Sequence, residues 1–167
     1  KTYDAQPFAA QLPAPTEFVK HTGAEIGSIT YDDAADQPVS AGEHTAKVVI
    51  AVGGQNHTIS QTMTINPAAF DLSLSISTVN YDGAAKTVTA TAKFGQTTLV
   101  EGTDYEVSGD DRTQTGSPAS DQTYTVTATG KGNFANCEKS ATWTIKAPSG
   151  SFAVDAARGT GCTASDT

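Results

Sequence analysis

Apolar and polar residues alternate along this chain with a period of two. In KTVTATAKF, residues 86–94, Val88, Ala90, Ala92 and Phe94 alternate with Thr87, Thr89, Thr91 and Lys93. In TYTVTAT, Tyr124, Val126 and Ala128 alternate with Thr123, Thr125, Thr127 and Thr129, and in ATWTI the apolar set is Ala141, Trp143 and Ile145. DLSLSIS places Leu72, Leu74 and Ile76 on one side and Ser73, Ser75 and Ser77 on the other. Successive side chains of a strand point to opposite faces, so this pattern predicts antiparallel strands with one dry and one solvated face. No window carries the 3.6 period of an amphipathic helix. Thr suits the wet face because its branched β-carbon favours extended backbone while its hydroxyl meets water.

Turn residues punctuate these runs. Tyr81-Asp82-Gly83 supplies a glycine where the chain reverses, and an Asp able to bond its own backbone. Phe94-Gly95-Gln96 ends one strand before Thr98-Leu99-Val100. Glu101-Gly102-Thr103-Asp104 predicts a short hairpin from there into Tyr105-Glu106-Val107. Residues 109–121 read as a polar loop.

The pattern also occurs twice. HTAKVVIAVGGQNHTISQTMTI, residues 44–65, aligns with QTYTVTATGKGNFANCEKSATWTI, residues 122–145, and Tyr3-Asp4 aligns with Tyr81-Asp82. A constant offset of about 80 residues marks a tandem duplication. Asn66-Pro67 and Ala147-Pro148 follow the two copies, and proline does not continue a central strand. The expected organisation is a first repeat over 1–66, a second over 67–146, and a tail over 147–167 that begins a third. The first repeat lacks a counterpart of the strand at Leu72–Ile76. Tail residues Ser151-Phe152-Ala153-Val154-Asp155 resemble Ala69-Phe70-Asp71-Leu72-Ser73, so either both ends cut through a longer array, or one molecule's tail adds a strand to the next.

Composition narrows the setting. Of the 167 residues, 37% are hydrophobic and 17% charged, and Thr, Ser, Ala and Gly make up the balance, which suits thin sheets over large helical cores. The formal charge of −8 repels phosphate backbones, so nucleic acid is excluded as a partner class. No apolar run reaches the roughly 20 residues that span a bilayer. A chain that starts at Lys1, with Met63 its sole methionine, reads as a processed product or an excised piece. Cys137 and Cys162 either pair in an oxidising compartment or stand as a half-buried and a free thiol.

Candidate chemistry is sparse. His21, His44 and His57 have no metal-ligand spacing and read as exposed or capping residues. Asp32, Asp33 and Asp36 share one loop, and Asp110, Asp111 and Asp121 another. Calcium takes about six to eight converging oxygens, and neither loop has the spacing that supplies them. There is no Gly-x-Ser-x-Gly elbow, and Gly130-Lys131-Gly132 joins two strands, whereas a phosphate loop opens a helix. A sugar-binding platform needs exposed rings. Trp143, Tyr105 and Tyr124 belong to inward sets, leaving Tyr31, Phe18 and Phe134. Lys47 and Lys93 fall on wet faces, against a buried Lys-Asn crosslink. No catalytic, cofactor-binding or metal residue is assigned, no cofactor is expected, and the ligand-binding residues are unassigned.

Tyr81-Asp82-Gly83, Glu101-Gly102-Thr103-Asp104-Tyr105 and Gly130-Lys131-Gly132-Asn133-Phe134 followed by Trp143-Thr144-Ile145 resemble the bacterial MBG and YDG-type immunoglobulin-like repeats of large surface proteins. The resemblance covers residues 67–146 well and 1–66 loosely, where Ala5 stands in place of glycine. It implies two tandem immunoglobulin-like β-sandwiches in an extracellular bacterial protein, secreted or on the cell surface. These would be non-catalytic stalk or adhesive modules. Their partners would be neighbouring repeats and a host protein or glycan, and the chain itself a monomer. The alternative is a carbohydrate-binding module of a secreted polysaccharide-degrading enzyme.

Overall fold

The alternating segments become strand wherever a partner edge meets them. In the computed structural model, which describes residues 1–10, 23–112 and 119–150, the strands are β1 (Glu25–Ile26), β2 (Thr30–Tyr31), β3 (Gly42–Val52), β4 (Gln55–Ile65) and β5 (Asp71–Leu74). They continue with β6 (Thr78–Asn80), β7 (Lys86–Thr87), β8 (Ala90–Phe94), β9 (Thr97–Thr98) and β10 (Tyr105–Ser108). The last are β11 (Asp111–Arg112), β12 (Gln122–Gly130) and β13 (Glu138–Lys146). One turn of 3-10 helix at Gly132–Phe134 is the helical element among the described residues. The fold is all-β, in several largely antiparallel sheets consistent with β-sandwich architecture.

In one sheet β3 lies between β4 on one side and β1 and β2 on the other. The others run β10-β12-β13-β6, β5-β8-β9 and β11-β7. β3 and β4 pair along their whole length, from Gly42 opposite Ile65 to Val52 opposite Gln55. Gly53 (φ 57°) and Gly54 (φ 79°) form the two-residue turn between them. Positive φ at both central positions is the type I′ geometry that matches strand twist, and glycine reaches it without strain.

Contacts gather into two units. The first holds residues 1–71, 92–106 and 129–139, and the second holds 72–91, 107–128 and 140–167. Residues 1–66 therefore lie wholly in the first unit, while 67–146 contribute to both. In the first unit, Tyr31, Ala46 and Met63 form a core lined by Phe8, Ala10 and Ile29. In the second, Val88, Val126, Trp143 and Ile145 form a core lined by Leu74, Val79, Tyr81, Ala90, Val107 and Tyr124.

The inward sets read from KTVTATAKF, TYTVTAT and ATWTI are all buried or half-buried, and Lys86, Thr91, Thr127 and Thr144 are half-buried as well. Two expectations need correction. The turn at 101–104 forms, with Gly102 at φ 82° and Gly102 N–H donating to the Tyr105 carbonyl at 2.7 Å. It is not a hairpin. The tight turn at Gly95-Gln96 has already folded Thr97 and Thr98 back onto Phe94 and Lys93, so β10 finds its partner in β12. Of the predicted strand Thr98-Leu99-Val100, Leu99 is buried and Val100 exposed. Ile76 is likewise exposed, because β5 ends at Leu74. KTVTATAKF is also interrupted at Val88 and Thr89, where Val88 bonds the Asp110 carbonyl and Thr89 bonds the Ser75 hydroxyl.

The two Tyr-Asp segments make the same local contacts. Thr2 bridges Asn66 in parallel, and Tyr3 N–H donates to the Asn66 carbonyl at 2.8 Å. Asn80 lies parallel to Lys146, and Tyr81 N–H donates to the Lys146 carbonyl at 3.1 Å. Each tie sits one residue after a fully buried isoleucine, Ile65 or Ile145. In each copy the Asp carboxylate accepts from the N–H two residues on, Asp4 from Gln6 at 3.0 Å and Asp82 from Ala84 at 2.9 Å. The residue between is left-handed both times: Gly83 at φ 80°, Ala5 at φ 60°. For alanine that conformation costs about 1–2 kcal/mol. Ala5→Gly should therefore raise stability by about 0.5–1 kcal/mol, after the added flexibility of the unfolded chain, and Gly83→Ala should lower it by about 1 kcal/mol. Urea unfolding of the two variants measures both.

Candidate interaction surfaces

Asp32, Asp33 and Asp36 share the acidic loop before β3. Tyr31 and Ala34 exchange backbone hydrogen bonds of 2.6 and 2.8 Å, and Asp32 (φ 49°) and Asp33 (φ 67°) between them are both left-handed. The tight turn bends both carboxylates back over β3. Asp32 Oδ1 accepts from Thr45 N–H at 2.7 Å, and its Oδ2 lies 2.6 Å from His44 Nδ1. His44 Nε2 lies 2.9 Å from the Ser40 carbonyl, so both ring nitrogens face acceptors and the imidazolium suits the site. Asp33 pairs with Lys47 at 2.6 Å. Asp36 is exposed. The carboxylates of Asp32 and Asp33 are thus committed to an N–H group and to cations.

The pairing shifts both partners. The hydrogen bond to Asp32, then that to Ser40, raises the pKa of His44 above 6.5. The Thr45 N–H, then His44, lowers that of Asp32 below 3.8.

The second acidic set disperses. Asp121 holds Lys146 at 2.6 Å and the Ala147 N–H at 2.9 Å, which lowers its pKa. Asp110 is half-buried and gives its carbonyl to Val88, and Asp111 lies in β11. Lys131 joins Glu106 at 2.7 Å and the Gly102 carbonyl at 2.9 Å. Among the described residues no group of three or more His, Cys, Asp or Glu is placed to hold a metal ion. His57 stands exposed on β4, and Lys93 is exposed on β8. Cys137 is half-buried. His21, Phe18, Cys162 and the tail strand at 151–155 lie outside the described residues.

Of the rings left as candidates for a sugar platform, the two among the described residues, Tyr31 and Phe134, are in cores. Trp143 is 1% exposed and Phe134 2%. Tyr31 is buried too, and its hydroxyl accepts from Ala10 N–H at 3.0 Å. Tyr124 packs on Trp143 with ring centroids 5.5 Å apart. Within the first unit Phe134 meets Tyr3, Phe94 and Phe70 at 5.6, 5.4 and 6.2 Å, and Phe70 meets Tyr105 at 5.9 Å. Sequence alternation did not find this cluster, because its members come from five segments and meet only once the chain has folded. The Gly-x-Gly-Asn-Phe turn was its visible trace. Gly130 admits no side chain, since a β-carbon there would stand 2.0 Å from the Phe134 carbonyl oxygen.

An open recess of about 380 Å³ is lined by residues 67–69 and 135–139, with Cys137, Glu138 and Lys139 among them. The longest exposed feature is β4. Gln55–Thr62 is exposed throughout, and among the described residues no strand pairs with its outer edge over that stretch. No helix of the described residues is long and apolar enough to cross a membrane. Compared with protein-family models, curated proteins and solved structures, the chain matches none.

The His44–Asp32 pair sets a pH window. Because the folded pKa of His44 is raised, its contribution is full below pH 6.5 and is lost as pH rises through the folded value. Because that of Asp32 is lowered, its contribution is full above pH 3.8 and fades as pH falls through the folded value. The melting temperature should therefore fall as pH rises above 6.5, and His44→Gln should flatten that slope. In an NMR titration His44 should give a midpoint above 6.5, which Asp32→Asn moves down.

Proposed function

We propose that this chain is a non-catalytic segment of a bacterial cell-surface or secreted protein. It is built from two tandem immunoglobulin-like units and acts as a stiff spacer that presents a neighbouring module, or itself adheres to a host protein. The observation that carries this reading is the ring cluster of Tyr3, Phe70, Phe94, Tyr105 and Phe134. Tyr3 comes from the first sequence repeat and the other four from the second.

A tether at Pro67 would leave the two repeats separately solvated. Instead the residues after it are drawn into one core, with Ala68 and Phe70 buried. Asn133 fixes both sides of the joint: its side-chain oxygen accepts from Ala41 N–H at 2.8 Å and its carbonyl from Ala68 N–H at 2.9 Å. Aromatic pairs at these spacings add about 0.5–1.5 kcal/mol each beyond the area they bury. Such packing ties the first repeat to part of the second inside one compact unit, which favours a spacer over a flexible tether. The same burial weighs against the carbohydrate-binding alternative, since the rings that would stack on sugars face inward.

Phe134→Ala should cost about 3–5 kcal/mol and open the segment around Pro67 to protease at a lower temperature than in the parent protein. On a polysaccharide array the parent protein should show no retention at all. Retention that free sugar competes away would replace the spacer reading with the carbohydrate-binding one.

A further inference from the structure

We propose that the outer edge of β4 pairs antiparallel with the same edge of a second copy of this chain, forming a two-fold dimer through a continuous sheet. Three observations carry the inference, and none depends on the spacer reading.

The first is the direction of the free backbone groups. Val52 and Gln55 flank a two-residue turn and so form a hydrogen-bonded pair, which aims every odd residue of β4 at β3. Even residues aim outward. The outward carbonyl of Thr64 accepts from Lys1 N at 2.8 Å, and Asn66 exchanges bonds with Lys1 and Tyr3. Among the described residues this leaves the N–H and C=O of Asn56, Thr58, Ser60 and Thr62 without a strand partner, at exposed positions.

The second is how the other edges are blunted. β6 and β9 are three and two residues long, β5 begins with Asp71, and β10 carries Glu106 paired with Lys131. Short length and charge are the usual defences of an exposed edge. β4 has neither. It runs eleven residues, QNHTISQTMTI, without Asp, Glu, Lys, Arg, Pro or Gly, in a chain of net charge −8. A strand free of charge is the part of such a molecule that can meet its own copy without repulsion.

The third is register. Pairing Asn56 with Thr62 and Thr58 with Ser60 of the second copy uses all four free positions, each pair exchanging two hydrogen bonds. It also leaves undisturbed the end of β4 that Lys1–Tyr3 occupy. Shifting the pairing by two residues either way runs into the Gly53-Gly54 turn or into Thr64. The chosen register puts Ile59 on the two-fold axis against its own copy, in the closer, non-hydrogen-bonded type of pair. Ile59 is 53% exposed in the single chain, on the face that buries Val48 and Met63. Self-pairing covers it.

Sedimentation of the full chain at increasing concentration should show a monomer–dimer equilibrium. Ile59→Lys places like charges on the axis, and Ser60→Pro removes an outward N–H that the β3 ladder does not use. Each should weaken dimerisation at least about tenfold while the circular dichroism spectrum is kept. In a Cys137→Ser, Cys162→Ser background, oxidised Ile59→Cys should give a covalent dimer, and His57→Cys, which faces Gln61 of the second copy, should not. A monomer at every concentration with no Ile59→Cys crosslink overturns the proposal. So does a dimer indifferent to Ile59→Lys and Ser60→Pro, which would use another face. A ladder of higher oligomers, the mark of head-to-tail strand addition, overturns it too.

Discussion

The architecture hangs on one short connection made twice: a backbone N–H at a Tyr-Asp turn given to the carbonyl of the residue after a buried isoleucine. Tyr3 bonds Asn66 and Tyr81 bonds Lys146, each beside an isoleucine with no exposed surface. These contacts are non-local, spanning more than sixty residues of chain, so their closure entropy must be repaid by what they bury. The isoleucines supply that return. The Asp of each turn then fixes where the chain leaves, by accepting from the N–H two residues on. Without this tie the segment that opens each repeat would have no edge to run along.

Most of the strand content was legible because a period of two has little competition in a chain so poor in helical pattern. Val88, Ala92, Val126, Ala128, Trp143 and Ile145 are buried where alternation put them. The failures have a common cause. Alternation gives the face of a residue but not the sheet in which its strand will pair. The segment 86–94 keeps its inward set while crossing from a ladder with β11 to one beside β5 and β9. The turn at 101–104 looked like a hairpin because a Gly-containing loop between two apolar runs is the local signature of one. What defeated that reading was the tighter turn at Gly95-Gln96, which had already used the edge of β9.

Chemistry was legible to a lesser degree. The acidic loop could be seen as a cluster, but not the partners that answer it. His44 and Lys47 lie more than ten residues from Asp32 and Asp33, on a strand that reaches them only through the turn at Tyr31–Ala34. Once together, the groups form exposed pairs of small individual worth. Their effect is on position: the loop is drawn onto β3 at His44, Thr45 and Lys47, and the left-handed backbone at Asp32 and Asp33 is the strain accepted for it. Asp tolerates that conformation better than most residues, which is why two of them stand there.

Negative charge and hydroxyl-rich faces both follow from the same constraint. Two thin units offer small cores, so much of every strand is wet, and whatever coats those faces must favour extended backbone without inviting company. Thr does so along β12, where Thr123 and Thr127 find hydroxyl partners in Thr144 and Ser140 across the ladder to β13 at 3.1 Å. Five lysines are drawn into pairs with Asp4, Asp33, Asp82, Glu106 and Asp121, leaving the excess carboxylates to set the sign of the surface. On such a surface an uncharged strand edge eleven residues long stands out physically as well as statistically. Solubility alone would favour a lysine or a proline somewhere along β4, at little cost to its ladder with β3.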